Sequence, residues 1–370
     1  MVKYLKKQNI TQRNSNIELL RIICMFMIVI SHYTVHNSVT NSSLPLGFNR
    51  LLLEVSNLGN MGVIIFILIT GYYNIDKEHP FKLRKLILLI FQVFFYSSVI
   101  YLIFVILGLK SFSIKGFIEN FFSIAFKRYW FMTAYMVLYI FMPFINSFQN
   151  NINRKRYTSF LIICLLVFSL LRMITTQDYY GNELIQFLLF YAIGGYLRKY
   201  KDNLFSKNYK LILISTSIIL LLSVIIFDLL GTKITVFASH STYLYSKHSI
   251  ICILFSISLF ELFLLKKRFY SKVINLFSKC VLGVYLISDN KLIRGILWED
   301  ILHVRNYIKS NILLFHMIGS VLLVFASCII IELIRQKIIE KVLIKICDKV
   351  RYKIKNTVFF EKIYYLVNKV

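Results

Sequence analysis

The sequence predicts an all-α protein: a polytopic transmembrane helical bundle of about ten spans with both termini cytoplasmic. Three observations carry that prediction. The 370 residues are 58% hydrophobic, with only 3 prolines and 13 glycines to interrupt the chain. The apolar residues gather into runs near the roughly 20-residue length that crosses a bilayer as a helix. Most of the 44 Lys and Arg fall in alternate connections between those runs, the pattern that places basic loops inside.

The expected spans lie near 17–35, 57–75, 85–108, 129–148, 158–176, 184–197, 211–230, 249–264, 281–297 and 311–333. With the N-terminus inside, the inner connections collect Lys77, Lys82, Arg84 and Lys85, then Arg154, Lys155 and Arg156. Arg198, Lys199, Lys201, Lys207 and Lys210 follow, then Lys266, Lys267, Arg268, Lys272 and Lys279. The net charge of +27 is therefore topological, and nucleic acid is not an expected partner. The lipid bilayer is. No cleavable signal peptide is expected, because the first apolar run carries Arg21 and lacks a small-residue cleavage pattern. The six cysteines show no paired spacing and read as packing residues or free thiols.

Between the spans, 36–56 reads as an outer loop rich in Asn and Ser. Segment 109–128 reads as an interfacial helix, with Phe112, Phe117, Phe121 and Phe122 among Lys110, Lys115 and Lys127. The chain divides into a membrane domain, 1–335, and a basic amphipathic cytoplasmic tail, 336–370. No internal repeat is evident, which weakens a transporter built from inverted repeats.

Arg21 and His32 stand out. They are eleven residues apart on the first span. That is about three helical turns, so both point to one side, ~16 Å apart along the axis. Ionisable residues inside a membrane helix are costly and mark polar tracks. Glu18, three residues before Arg21, is placed to pair with it. Arg21 otherwise suits an anionic or carbonyl-bearing cofactor. The His32 imidazole is able to take a proton from a hydroxyl near neutral pH. His36 follows His32 by four residues, a spacing at which two imidazoles can share a metal. With no carboxylate beside them in the sequence, no metal is expected.

Other polar elements are less specific. Lys82, Arg84 and Lys85 open the third span; they either anchor the helix to anionic lipid or hold the phosphates of a donor such as coenzyme A. Trp130 and Tyr135 belong to an aromatic cluster that is either an interface belt or a surface for a sugar ring. Asp289 and Asn290, within the ninth span, read as polar residues facing a cavity. No nucleotide-binding loop, hydrolase elbow or zinc-protease signature occurs.

In order along the chain these motifs resemble acyltransferase family 3, the integral membrane acyltransferases. The family signature, an arginine, ten residues and a histidine in the first span, is similar to Arg21 through His32. Gly59 to Tyr72, ending Thr70-Gly71-Tyr72, resembles the family's second span, with Thr70 in place of serine. Lys82-Leu83-Arg84-Lys85 resembles its basic motif, and Tyr129-Trp130-Phe131 and Gly194-Gly195-Tyr196 match its texture. Two departures are visible. Ser288 follows Tyr285-Leu286-Ile287 where many relatives carry histidine, and the basic motif has lysines where arginine is common.

The resemblance implies an O-acetyltransferase of the bacterial plasma membrane. It would take acetyl groups from cytoplasmic acetyl-coenzyme A and place them on a sugar hydroxyl of a cell-surface polysaccharide or its lipid-linked precursor. His32 and Arg21 would be catalytic, Lys82, Arg84 and Lys85 would bind the donor, and Trp130, Tyr135, Asp289 and Asn290 the acceptor. The competing reading is an exporter of polysaccharide or lipid-linked sugar that does no chemistry.

Overall fold

The computed structural model describes residues 13–36, 44–77, 81–175, 182–201 and 204–355. All regular structure among them is helical. The helices in chain order are α1 (Ser15–Val35), α2 (Phe48–Val55), α3 (Gly59–Asn74), α4 (Leu83–Ile106), α5 (Ile114–Phe121), α6 (Trp130–Asn151), α7 (Arg154–Leu165) and α8 (Arg172–Thr175). They continue with α9 (Glu183–Lys199), α10 (Leu204–Gly231), α11 (Thr235–Ala238), α12 (Ile250–Leu265), α13 (Lys272–Ser288), α14 (Ile293–Gly295), α15 (Val304–Tyr307), α16 (Leu313–Ile338) and α17 (Glu340–Lys355).

Seven stretches are long and apolar enough to cross a membrane: Ser15–Val35, Phe48–Asn74, Leu83–Ile106, Trp130–Asn151, Arg154–Thr175, Lys207–Gly231 and Leu313–Ile338. The expected spans 184–197 and 249–264 coincide with the shorter helices α9 and α12, and 281–297 overlaps α13 only in part. The protein is thus a multi-pass membrane protein of helical architecture.

Helix α1 is central. It packs against α3, α12, α13 and α16. Its start is fixed by polar ties to the α12–α13 connection. Asn16 Nδ2 donates to the carbonyls of Lys266 and Lys267, at 3.1 and 3.0 Å. Ser15 Oγ donates to Asn275 Oδ1 at 3.1 Å. The Asn14 side chain caps the helix by accepting from the Asn16 amide. On its far side Phe26 stacks on Phe325 of α16.

Helix α3 lies close to two neighbours because it carries glycines where backbones meet. A Cβ at Gly62 would sit 2.6 Å from the Cys24 carbonyl oxygen of α1. One at Gly71 would sit 2.1 Å from the Tyr191 oxygen of α9, and one at Gly194 of α9 would meet the Leu68 oxygen at 2.3 Å. The α3–α9 crossing is therefore backbone on backbone, the arrangement small residues permit in membranes. By contrast α7, its continuation through a π-helical turn at Leu166–Leu171, and α10 expose Ile162, Ile163, Leu166, Leu211, Ile214, Ile218 and Leu222. Those faces suit lipid.

Three segments differ from expectation. The outer loop 36–56 contains a helix, α2, because Arg50 finds buried partners: Asp228 Oδ1 of α10 at 2.6 Å and Glu54 Oε1 at 3.3 Å. Residues 37–43 lie outside the described residues. The expected ninth span, 281–297, is displaced: α13 starts at Lys272 and stops at Ser288, so Asp289 caps its end rather than sitting inside a helix. Of the tail, α17 packs on α4, and Arg84 Nε donates to Asp348 Oδ1 at 2.8 Å. Arg84 holds the Asp348 carboxyl below its usual range, chiefly by that hydrogen bond. The tail beyond Lys355 lies outside the described residues.

Candidate active site

A cavity of about 680 Å³ runs inside the bundle along one face of α1. Arg21, Met25, Ile28, His32 and Val35 line it, a stripe at spacings of three and four. Val63, Phe66, Ile69 and Thr70 of α3 form the facing wall, and Val281, Leu282 and Tyr285 of α13 another. Arg21 lies toward the end where α1 begins and His32 toward the end where it finishes. One continuous cavity therefore touches both.

The end nearer the start of α1 is cationic. Arg13, Arg21, Lys77, Lys85 and Lys279 line it. The expected Glu18–Arg21 pair does not form. Glu18 instead accepts from Arg13 Nε at 2.6 Å and from the Ser278 hydroxyl. That leaves Arg21 Nε buried with no hydrogen-bond partner among the described residues. A part-buried guanidinium whose Nε has no partner suits an anionic ligand. Lys77 lies between spans and donates to Asn74 Oδ1 at 2.7 Å. Desolvation, and then the cations Lys85, Lys82 and Arg21, hold its ammonium below the usual lysine pKa.

The basic motif splits. Lys85 lines the cavity, with its ammonium 5.3 Å from the Tyr139 ring centroid. Arg84 turns away to Asp348. Lys82 is not among the lining residues; its backbone amide donates to the Tyr139 hydroxyl at 3.0 Å. Lys77 and Lys279, expected only as topological charges, join Lys85 instead.

The other end holds paired charges. Asp289 Oδ1 lies 3.4 Å from His36 Nε2, 3.8 Å from His32 Nε2 and 3.7 Å from Arg294 Nη1. Asp289 is the only carboxylate among the cavity's described lining residues. It is only 8% exposed, so its interactions with these groups are weakly screened. The end of α13 supplies it there, where the helix dipole favours cations nearby. His32 Nδ1 is buried and has no hydrogen-bond partner among the described residues. The carboxylate that the sequence lacks beside His32 and His36 thus comes from the end of a helix far along the chain.

Trp130, Phe131 and Tyr135 of α6 line the cavity, and the Lys247 ammonium sits 4.8 Å from the Trp130 ring centroid. Asn290 is not among the lining residues. Its Nδ2 donates to the Tyr129 hydroxyl at 2.7 Å, and that hydroxyl donates to the Leu286 carbonyl at 2.9 Å. Asn290 thus fixes the turn that presents Asp289. Ser288 is fully buried with its hydroxyl unpartnered among the described residues. Ser31 Oγ donates to Asn57 Oδ1 at 2.9 Å, adding two polar groups to the mouth.

A family model described as an acyltransferase domain matches residues 14–333. The chain belongs to acyltransferase family 3. No curated protein and no solved structure matches it. As a family 3 member it is a membrane acyltransferase, and the match takes in every helix that contributes to the cavity.

Proposed function

We propose that this family 3 protein is an O-acetyltransferase of the bacterial plasma membrane. It moves an acetyl group from cytoplasmic acetyl-coenzyme A to a sugar hydroxyl of a cell-surface polysaccharide or its lipid-linked precursor. One observation carries the reading: a single cavity joins an unneutralised cationic end to a histidine–aspartate end. The positive-inside rule supports a cytoplasmic cationic end, since the basic connections gather there.

The donor's phosphates rest on Lys77, Lys85 and Lys279 at the rim, and its thioester lies in the apolar middle beside Arg21. The acceptor enters from the opposite side over Trp130 and Tyr135, aromatic faces suited to a sugar ring. Its hydroxyl oxygen attacks the thioester carbon. A C–O bond forms as the C–S bond breaks. His32 takes the hydroxyl proton at Nδ1 and returns it to the departing thiolate. Asp289, facing Nε2, stabilises the imidazolium in between, as a buried carboxylate does beside a histidine base.

The test uses membranes carrying the full chain and acetyl-coenzyme A radiolabelled in the acetyl group. Label reaching glycan in the native protein, and absent with His32→Ala inserted at equal level, supports the proposal. Label unchanged in His32→Ala overturns the mechanism. Glycan appearing outside without label supports export in its place.

A further inference from the structure

The acyl transfer just described makes no use of His36. Its Nε2 is buried, makes no well-formed hydrogen bond among the described residues, and lies 3.4 Å from Asp289 Oδ1. The His32 and His36 rings are 4.9 Å apart between centroids. One ligating atom from each of His32, His36 and Asp289 falls within 4.8 Å of the others. Ligands on a tetrahedral zinc at about 2.0–2.1 Å stand about 3.3 Å from one another. The observed separations of Asp289 Oδ1 from the two imidazoles, 3.4 and 3.8 Å, are close to that edge.

We propose that His32 Nε2, His36 Nε2 and Asp289 Oδ1 form a binding site for a divalent ion of the zinc class. Three features of chemistry favour it. Two imidazoles four residues apart on one helix face converge on a single ion. Two nitrogens and a carboxylate oxygen are a zinc donor set that leaves a fourth position open. The cavity gives an ion a polar, ligand-lined route, since Ser31, Asn57 and Asn60 stand at the same end.

The ion and acyl transfer exclude each other. A metal bound at Nε2 uses that lone pair, so the neutral ring carries its proton on Nδ1. Nδ1 is the atom that must accept the acceptor's proton. Zinc-class ions therefore inhibit the enzyme, a consequence that rests on the proposed function; binding itself does not. Arg294 competes with the ion for Asp289, from which its Nη1 is 3.7 Å away.

The experiment uses the full chain purified in detergent, with the ion alone as ligand. Co²⁺ titration read by visible absorbance, and Zn²⁺ titration read by calorimetry, are expected to show one tetrahedral site per chain. His36→Ala and Asp289→Asn each weaken it by at least about tenfold. Arg294→Gln tightens it, an effect of opposite sign that misfolding does not produce. His36→Ala, checked for a native elution profile, keeps acetyl transfer and loses its inhibition by Zn²⁺. No stoichiometric binding, or binding unchanged in His36→Ala, overturns the site. Binding with undiminished transfer overturns the inhibition. Failure of the acyltransferase reading shows itself separately, as unlabelled glycan with ion binding intact.

Discussion

The two ends of the cavity handle charge in opposite ways. At the end carrying Arg21, cations face the cavity and no acidic residue among the described lining residues answers Arg21, Lys85 or Lys279. At the end carrying His32, one buried carboxylate gathers two imidazoles and a guanidinium. The difference teaches which end awaits a ligand and which is already assembled. Part-buried cations without an acidic partner favour an anion supplied from outside. A carboxylate held among histidines is preorganised and needs only a substrate. Variants at the first end should therefore act on donor binding, and variants of His32 and Asp289 at the second on turnover.

The largest expected effect tests the assembled end. His32→Ala should lower transfer by roughly 10²–10⁴-fold with the donor KM little changed. A rise in KM with kcat intact would place His32 in binding and erase the contrast. Asp289→Asn keeps the shape and removes the charge. Losing a charge-assisted interaction of about 1.5–3 kcal/mol corresponds to about 10–100-fold in kcat. Equal loss from the donor's KM alone would break the comparison.

Arg21→Ala, at the other end, should raise the donor KM by about tenfold, because it removes a part-buried cation with an unpartnered Nε. Saturating acetyl-coenzyme A should restore most of the rate. Lys85→Ala should raise the same KM by only about two- to fivefold, more at low salt than at high, as a partly solvated charge does. Arg84→Ala should change transfer by less than about twofold, since Arg84 faces Asp348 instead of the cavity. An Arg84 effect larger than that of Lys85 would show that the donor sits elsewhere on the rim.

Much of this was readable in the sequence, for stated reasons. Arg21 and His32 share a stripe because helical periodicity fixes where residues eleven apart point. The apolar runs announced the helices by length alone. What was not readable depends on tertiary choice. Glu18 had Arg21 as its nearest sequence partner, yet Arg13 and Ser278 took it. Lys82, Arg84 and Lys85 are consecutive enough to look like one motif, but successive helical positions diverge by 100°, so they face different neighbours. The expected ninth span overshoots α13 because Leu292, Ile293, Ile296 and Leu297 resume apolar character beyond the polar stretch 288–291. With that end misplaced, Asp289 read as a mid-span residue, and its meeting with His36 was invisible. The signal that was available is the Ser288-Asp289-Asn290 triplet itself, three polar residues in succession within an apolar frame.

The crossing of α3 with α9 has a bearing on what the enzyme accepts. Where Gly71 and Gly194 let two main chains touch, no side chain stands between the helices to flex or repack. The wall formed by Val63, Phe66 and Ile69 is thus mounted on a strut clamped at Gly62 and again at Gly71. Such a wall behaves as a fixed gauge. In the proposed transfer those three side chains would gauge the acyl group, and Phe66→Ala is expected to raise the rate with a longer acyl donor relative to acetyl.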